Sequence, residues 1–313
     1  MTKQIESEIP VIAQNITENN IRIGKTLCEK AILISVQISQ FSGTRKDKRV
    51  TNDVSKDENC DINNVRVWKS LLKSKKNRAV SSASQKLRLR LYELSAPWNN
   101  NGERICSTKN YIKVKQELEQ LIGSFYIAVA DSIQEYADTI ASDYANERQM
   151  LGGLFNKADY PTYDEFRHSF KAEIVVSPVP SNDYRSGYLS KEDLADINSQ
   201  IEARIESSIK ETQIDIMERA RESLNHLVNR LIDSDGKFHN SALENVIEEI
   251  NQSRELNILD NAKIDEIFNS VAKKISTIDA ASVRDSEKVR NSALITAKDA
   301  LKDINSLMAD FMA

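Results

Sequence analysis

Turn-forming residues are scarce in this sequence, with 8 glycines and 5 prolines in 313 residues. So few disfavour a turn-rich β architecture and favour long uninterrupted elements. Aromatics make up only 6% of the chain, so its core must come mainly from Ile, Leu, Val and Ala. The three cysteines (Cys28, Cys60 and Cys106) are odd in number and lack CxxC spacing. They read as reduced thiols of a cytosolic chain, not as a disulfide framework. The most apolar run, Ala31–Phe41, is interrupted by Ser35, Gln37, Ser39 and Gln40, so no membrane span is expected. The opening Met1-Thr2-Lys3-Gln4-Ile5-Glu6 has no signal-peptide core. A soluble, cytoplasmic chain with no membrane partner is the expectation.

Catalytic signatures are missing as well. There is no GxSxG, HExxH or GxGxxG. His168, His226 and His239 stand at no metal-ligand spacing with cysteine or acid. Gly24-Lys25-Thr26 looks like the end of a phosphate-binding loop, but Asn19 occupies the place of its first glycine. Asp233-Ser234-Asp235-Gly236 looks like part of a calcium loop, yet Leu231 and Ala242 fall where acidic ligands belong, and it reads as a turn. No metal and no cofactor are expected, and the chain reads as non-enzymatic. A buried cluster uniting His168 with Asp159, Asp183 or Arg185 would revive an enzyme.

What the sequence does have is an uneven charge. The net charge is −4, yet residues 62–92 hold nine Lys or Arg and no acid, which leaves −13 elsewhere. Just upstream, Arg45-Lys46-Asp47-Lys48-Arg49 adds four cations around one acid. This asymmetry points to a polyanionic partner. The candidate nucleic-acid contacts are Arg45, Lys46, Lys48, Arg49, Arg66, Lys69, Lys73, Lys75, Lys76, Arg78, Lys86, Arg88 and Arg90, since phosphate binding needs several cations on one surface. The competing reading is a solvated helix face whose long side chains cover apolar surface. Trp68 and Tyr92 could stack bases, but they fall on apolar faces and are assigned to the core.

Helical periodicity dominates the rest. Residues 1–30 carry Ile5, Ile12, Ile16, Ile23 and Leu27. Tyr111, Val114, Leu118, Leu121, Phe125, Val129, Ile133, Tyr136, Ile140 and Tyr144 recur at steps of three or four. They predict one helix of ~40 residues, about 60 Å long, ended or kinked at Gly152-Gly153. A second stripe of similar length runs from Leu194 to Leu231 behind a Ser190 cap. Capping boxes are expected at Thr162–Glu165 and Ser241–Glu244. Leu294, Ala297, Leu301, Ile304, Met308 and Phe311 follow a 3-4-3-4-3 spacing, a short coiled-coil seam. Alternation over Ile34–Ile38 predicts a strand, and 172–178, its expected partner, a second.

Four blocks carry a family resemblance. They are Phe41-Ser42-Gly43-Thr44-Arg45-Lys46-Asp47-Lys48, Pro97-Trp98 with Gly102-Glu103-Arg104, Leu151-Gly152-Gly153-Leu154-Phe155 with Asp159-Tyr160-Pro161, and Val179-Pro180 with Asp183-Tyr184-Arg185. Over residues 30–190 the chain resembles an uncharacterised family encoded by bacteriophages and mobile elements. The resemblance implies a bacterial host cytoplasm and genes neighbouring a MoxR-like AAA ATPase or recombination functions. It supplies no activity and no catalytic residues.

The expected fold is therefore mostly α, an elongated bundle of long antiparallel helices with a small two-stranded β element. Three regions are expected, at 1–96, 97–188 and 189–313. The expected function is non-enzymatic nucleic-acid binding by an oligomeric phage or mobile-element protein. The alternative is a helical adaptor or scaffold for a protein partner such as a AAA ATPase.

Overall fold

The computed structural model describes residues 27–99, 102–180, 184–233 and 238–312. The reading of residues 1–26 as helix, the near-loop at Gly24-Lys25-Thr26 and most of the turn at 233–236 fall outside them. The chain is mostly α and folds as two compact units. The larger unit takes residues up to 35, 92–114 and those from 176 on; the smaller takes 36–91 and 115–175.

In chain order the elements are β1 (Ala31–Ser39), β2 (Thr44–Lys46), α1 (Lys48–Asp57), β3 (Trp68–Ser70), α2 (Lys75–Glu93), β4 (Ala96–Pro97), β5 (Arg104–Ser107), α3 (Tyr111–Ala141), α4 (Ala145–Leu151), α5 (Tyr163–His168), β6 (Lys171–Pro178), α6 (Lys191–Ile232), α7 (Ser241–Glu255), α8 (Ala262–Ser276), α9 (Ala280–Asp285) and α10 (Glu287–Met312). The expected neighbours β1 and β6 do lie side by side, but the β element is not two-stranded. It is a sheet of four strands in the order β4-β5-β1-β6, accompanied by a separate β2-β3 pair. β5 runs antiparallel to β1, with Leu33 opposite Ile105 and Ile34 opposite Arg104. Pro97 sits in β4, at the sheet's edge, where a residue without an N–H leaves no inner ladder bond unmade.

In the larger unit α6 runs for 42 residues. Ser190 caps it, accepting the Asp193 amide, with Glu192 and Asp193 in the first turn. Its first half meets the sheet region. Ile205 joins Leu27, Leu33, Trp98 and Ile105 in one core, while Ser208 and Thr212 donate to the backbone carbonyls of Trp98 and Pro97. Its second half packs with α7, α8 and α10 in a core that contains Ile216, Leu224, Ile250, Phe268, Ile304 and Met308. Ala220 on α6 and Ala297 and Ala300 on α10 are fully buried there, small residues that let backbones approach closely. All six residues of the proposed seam on α10 lie in this core or pack against it. The spacing thus serves packing within the chain.

Several helix starts follow side-chain chemistry. Asn261 caps α8 and Asp279 caps α9. The box expected at Ser241 does not form: Ser241 is already the first helical residue, and Asn240 precedes it without a side-chain cap bond. The last helix begins only at Glu287, because α9 takes Ser282 and Ser286 adopts an extended backbone.

In the smaller unit the predicted 40-residue helix stops early. α3 ends at Ala141, and Asp143 and Tyr144 take left-handed backbones with φ of 47° and 58°. Such a conformation costs a non-glycine residue about 1–2 kcal/mol. In return the Tyr144 ring packs 4.8 Å from Tyr160, in a core with Leu71, Tyr136 and Phe166. Lys157 and Arg148 both pair with the Asp143 carboxylate. Gly152, at φ 51°, ends the short α4 that follows. The Thr162–Glu165 capping box forms as expected at the start of α5, and Phe166 from that turn meets Tyr136 at 4.1 Å.

Candidate nucleic-acid interface

The candidate cations belong to the smaller unit, and the β2-β3 ribbon sorts several of them. Thr44 pairs with Ser70, Arg45 with Lys69 and Lys46 with Trp68. Side chains alternate across a strand, so Arg45 and Lys69 share one face while Lys46 and Trp68 share the other.

The first face is internal. Lys69 is buried, with its ammonium on the carboxylates of Asp47 (3.0 Å) and Asp159 and on the Leu154 carbonyl (3.1 Å). Burial opposes its charge, but the Asp159 and Asp47 carboxylates outweigh that, and its pKa ends above the ordinary lysine value. Arg45 closes the cluster from the rim, 3.2 Å from Asp159. Asp47 also caps α1: the Val50 amide, and then Lys69, hold its carboxyl below the ordinary range. The Thr51 hydroxyl donates to the Asp47 carbonyl and accepts the Val67 amide, which ties α1 to the strand entering β3. Lys69 is therefore a structural cation, and Arg45 is largely committed to Asp159. Both leave the candidate interface.

The second face is open. Trp68 is 58% exposed, opposite Lys46. The expectation that Trp68 and Tyr92 belong to the core is wrong: in a strand of three residues Trp68 has no covering layer, and Tyr92 is half exposed beneath the Arg104 guanidinium. The side chains of Lys46, Lys48, Arg66, Lys73, Lys75, Lys76, Lys86 and Arg88 make no ion pair or hydrogen bond among the described residues. All are exposed except the half-buried Lys76. Arg49 reaches the Gly153 carbonyl only at 3.5 Å, and Arg78 turns back to the Ser74 carbonyl at 3.4 Å.

Helix α2 orders the rest. Val80, Ser84, Leu87 and Leu91 are its buried residues, at steps of 4-3-4. At 3.6 residues per turn, Lys75, Arg78 and Lys86 lie opposite that stripe, and Lys75 to Lys86 spans about 16 Å. Arg90 lies off this face and forms a 2.6 Å ion pair with Glu117 of α3. No acid stands in the first turn of α2, so its positive end adds to Lys73, Lys75 and Lys76.

Of the residues expected to cluster with His168, Asp183 lies outside the described residues. His168 turns its ring nitrogens to the Asp164 carbonyl and to Arg167, while Asp159 is engaged by Lys69 and Arg45. No group of three His, Cys, Asp or Glu side chains among the described residues could hold a metal ion. No helix among them is long and apolar enough to cross a membrane. Comparison with protein-family models, curated proteins and solved structures finds no match to this chain.

Proposed function

We propose that the chain is a non-enzymatic nucleic-acid-binding protein, acting through the outer face of the β2-β3 ribbon and the exposed face of α2. One observation carries the reading. An exposed tryptophan, Trp68, stands opposite Lys46 in a ribbon whose other cations, Arg45 and Lys69, pair with Asp159. Aromatic platforms among cations are how single strands are held without sequence reading, since every base offers a face to stack on. A stacked base must be unpaired, so single-stranded DNA or RNA is the preferred ligand. The eight unpartnered cations supply phosphate contacts and make binding salt-sensitive. The resemblance to phage and mobile-element proteins fits a role on single-stranded intermediates in the host cytoplasm. In the adaptor reading, the α6 stripe and the α10 seam would meet a partner; the burial of the second half of α6 and of α10 in the larger unit's core favours the nucleic-acid reading.

The test is binding of labelled single- and double-stranded oligonucleotides across a salt series, with mass measured on the same sample. Single strands should bind more tightly, and affinity should fall steeply with salt. Unchanged binding after Lys73, Lys75, Lys76 and Arg78 are together replaced by Ala would overturn the α2 surface. A homo-oligomer in the mass measurement would supply several such surfaces in one particle.

A further inference from the structure

A cleft of about 370 Å³ opens in the smaller unit between α3, α4 and the turn from β3 into α2. That volume falls in the range of small-molecule sites. Its charge runs opposite to the neighbouring basic surface. Glu135, Asp138 and Glu147 line it, with Lys73 as its one cation.

Two of the acids have no side-chain partner, Glu147 in a largely buried position and Glu135 in a half-buried one. Glu147 is the buried residue of α4, only 6% exposed, and its side chain makes no hydrogen bond or ion pair among the described residues. The Oε2 atom of Glu135 is fully buried and also accepts no hydrogen bond. A carboxylate largely taken from water with no donor beside it carries a desolvation cost that a bound cation would relieve. Lys73 stays exposed and pairs with neither. Leu72, Tyr136 and Met150 complete an apolar wall. No three acids here or elsewhere among the described residues are grouped to hold a metal ion.

We propose that this cleft binds a small organic cation, a primary ammonium or guanidinium on a short apolar stem, with Glu147 and Glu135 receiving its N–H donors. The stem lies along Leu72, Tyr136 and Met150. The inference stands apart from nucleic-acid binding, because it uses the acidic cleft and not the basic face.

The experiment is calorimetric titration of the full chain with putrescine and with agmatine. A second arm uses a Gly-Ser peptide carrying one Arg, and MgCl2 serves as the control. Saturable one-to-one binding of a free amine or of the peptide is expected, weakened about tenfold or more by Glu147→Gln; the arm that binds identifies the source of the cation. Without ligand, Glu147→Gln should also raise the unfolding midpoint, because it removes a lone buried charge. Failure of every cation to bind would overturn the proposal. So would equal binding by Glu147→Gln, binding of magnesium in their place, or a lower midpoint in that variant.

Discussion

Two lysines one strand apart, Lys46 and Lys69, should respond in opposite ways to the same substitution. Methionine keeps the unbranched stem and removes the charge. At Lys69 the change leaves Asp47 and Asp159 facing each other without their shared cation. Breaking a buried pair in this way costs about 3–5 kcal/mol. Arg45 remains beside Asp159 and solvent reaches the rim, so the lower end, about 3 kcal/mol, is the expected loss. For a unit of this size that lowers the melting midpoint by roughly 10 °C. At Lys46, exposed and unpartnered, the change should move stability by no more than about 0.5 kcal/mol. It should instead remove one phosphate contact and flatten the salt dependence of single-strand binding by about 0.7 in log–log slope. Circular dichroism melts and oligonucleotide titrations on both variants read these effects. A Lys69→Met protein as stable as the parent, or a Lys46→Met protein as damaged as Lys69→Met, would refute the division of the ribbon into an inner and an outer face.

Other consequences follow from the same geometry. Replacing Lys73, Lys75, Lys76 and Arg78 by Ala should lower the single-strand salt slope by about 3 while leaving the melting curve nearly unchanged; an unchanged slope would show that α2 does not meet phosphate. Trp68→Ala should weaken single-strand binding by about 1–3 kcal/mol at little expense in stability, and equal affinity in a titration would remove Trp68 from the site. Ile304→Ala empties part of a fully buried position and should cost about 3 kcal/mol in a urea melt, whereas a loss under 1 kcal/mol would contradict the packing of α10 inside the chain. Asp47, Asp143, Glu165, Asp260 and Asp279 are held below the ordinary carboxylate range, chiefly by the Val50 amide, Lys157, Thr162, Lys30 and Ser282 respectively. A depressed folded value stabilises above the unfolded value near pH 4 and is lost as pH falls through the folded one. Glu249, pushed up by burial, works in the opposite sense and gains on protonation. Stability should therefore decline below about pH 4, and a flat profile from pH 5 to 2 would contradict these pairings.

The features legible in the sequence were those with long period or fixed spacing. Ten apolar residues at helical steps announced α3, and Ser190 with Asp193 announced the start of α6. Thr162 and Glu165, three apart, could be read as a reciprocal cap because that motif is entirely local. Alternation in Ile34–Ile38 found β1, and its neighbour β6 followed from the need to pair its backbone. What stayed hidden depends on partners distant in sequence. β4 and β5, two and four residues long, are too short to show a period, and Arg104 within β5 reads as solvent-facing until Ser95 is seen accepting its guanidinium. Thr44-Arg45-Lys46 and Trp68-Lys69-Ser70 gave no strand signal, because three residues carry no periodicity. Lys69 counted as one more surface charge, since Asp159 lies 90 positions away. The left-handed step at Asp143 and Tyr144 had no glycine to betray it. Ser241 suits a cap by residue type, and only the backbone shows that it is already the first helical residue. The acidic cleft was invisible for the same reason: Glu135 and Glu147 sit on different helices and meet only because the chain turns back at Tyr144.

The most direct measurement uses the protein's own fluorescence. Its two tryptophans differ sharply, with Trp98 at 2% exposure and Trp68 at 58%. Adding a single-stranded oligonucleotide should quench the Trp68 emission as a base stacks on the ring. Adding salt should reverse the quench, and a Trp68→Phe variant, which still offers a ring, should bind without a fluorescence change. Binding with unaltered emission, or an equal quench in Trp68→Phe, would contradict the account, as would no binding at low salt.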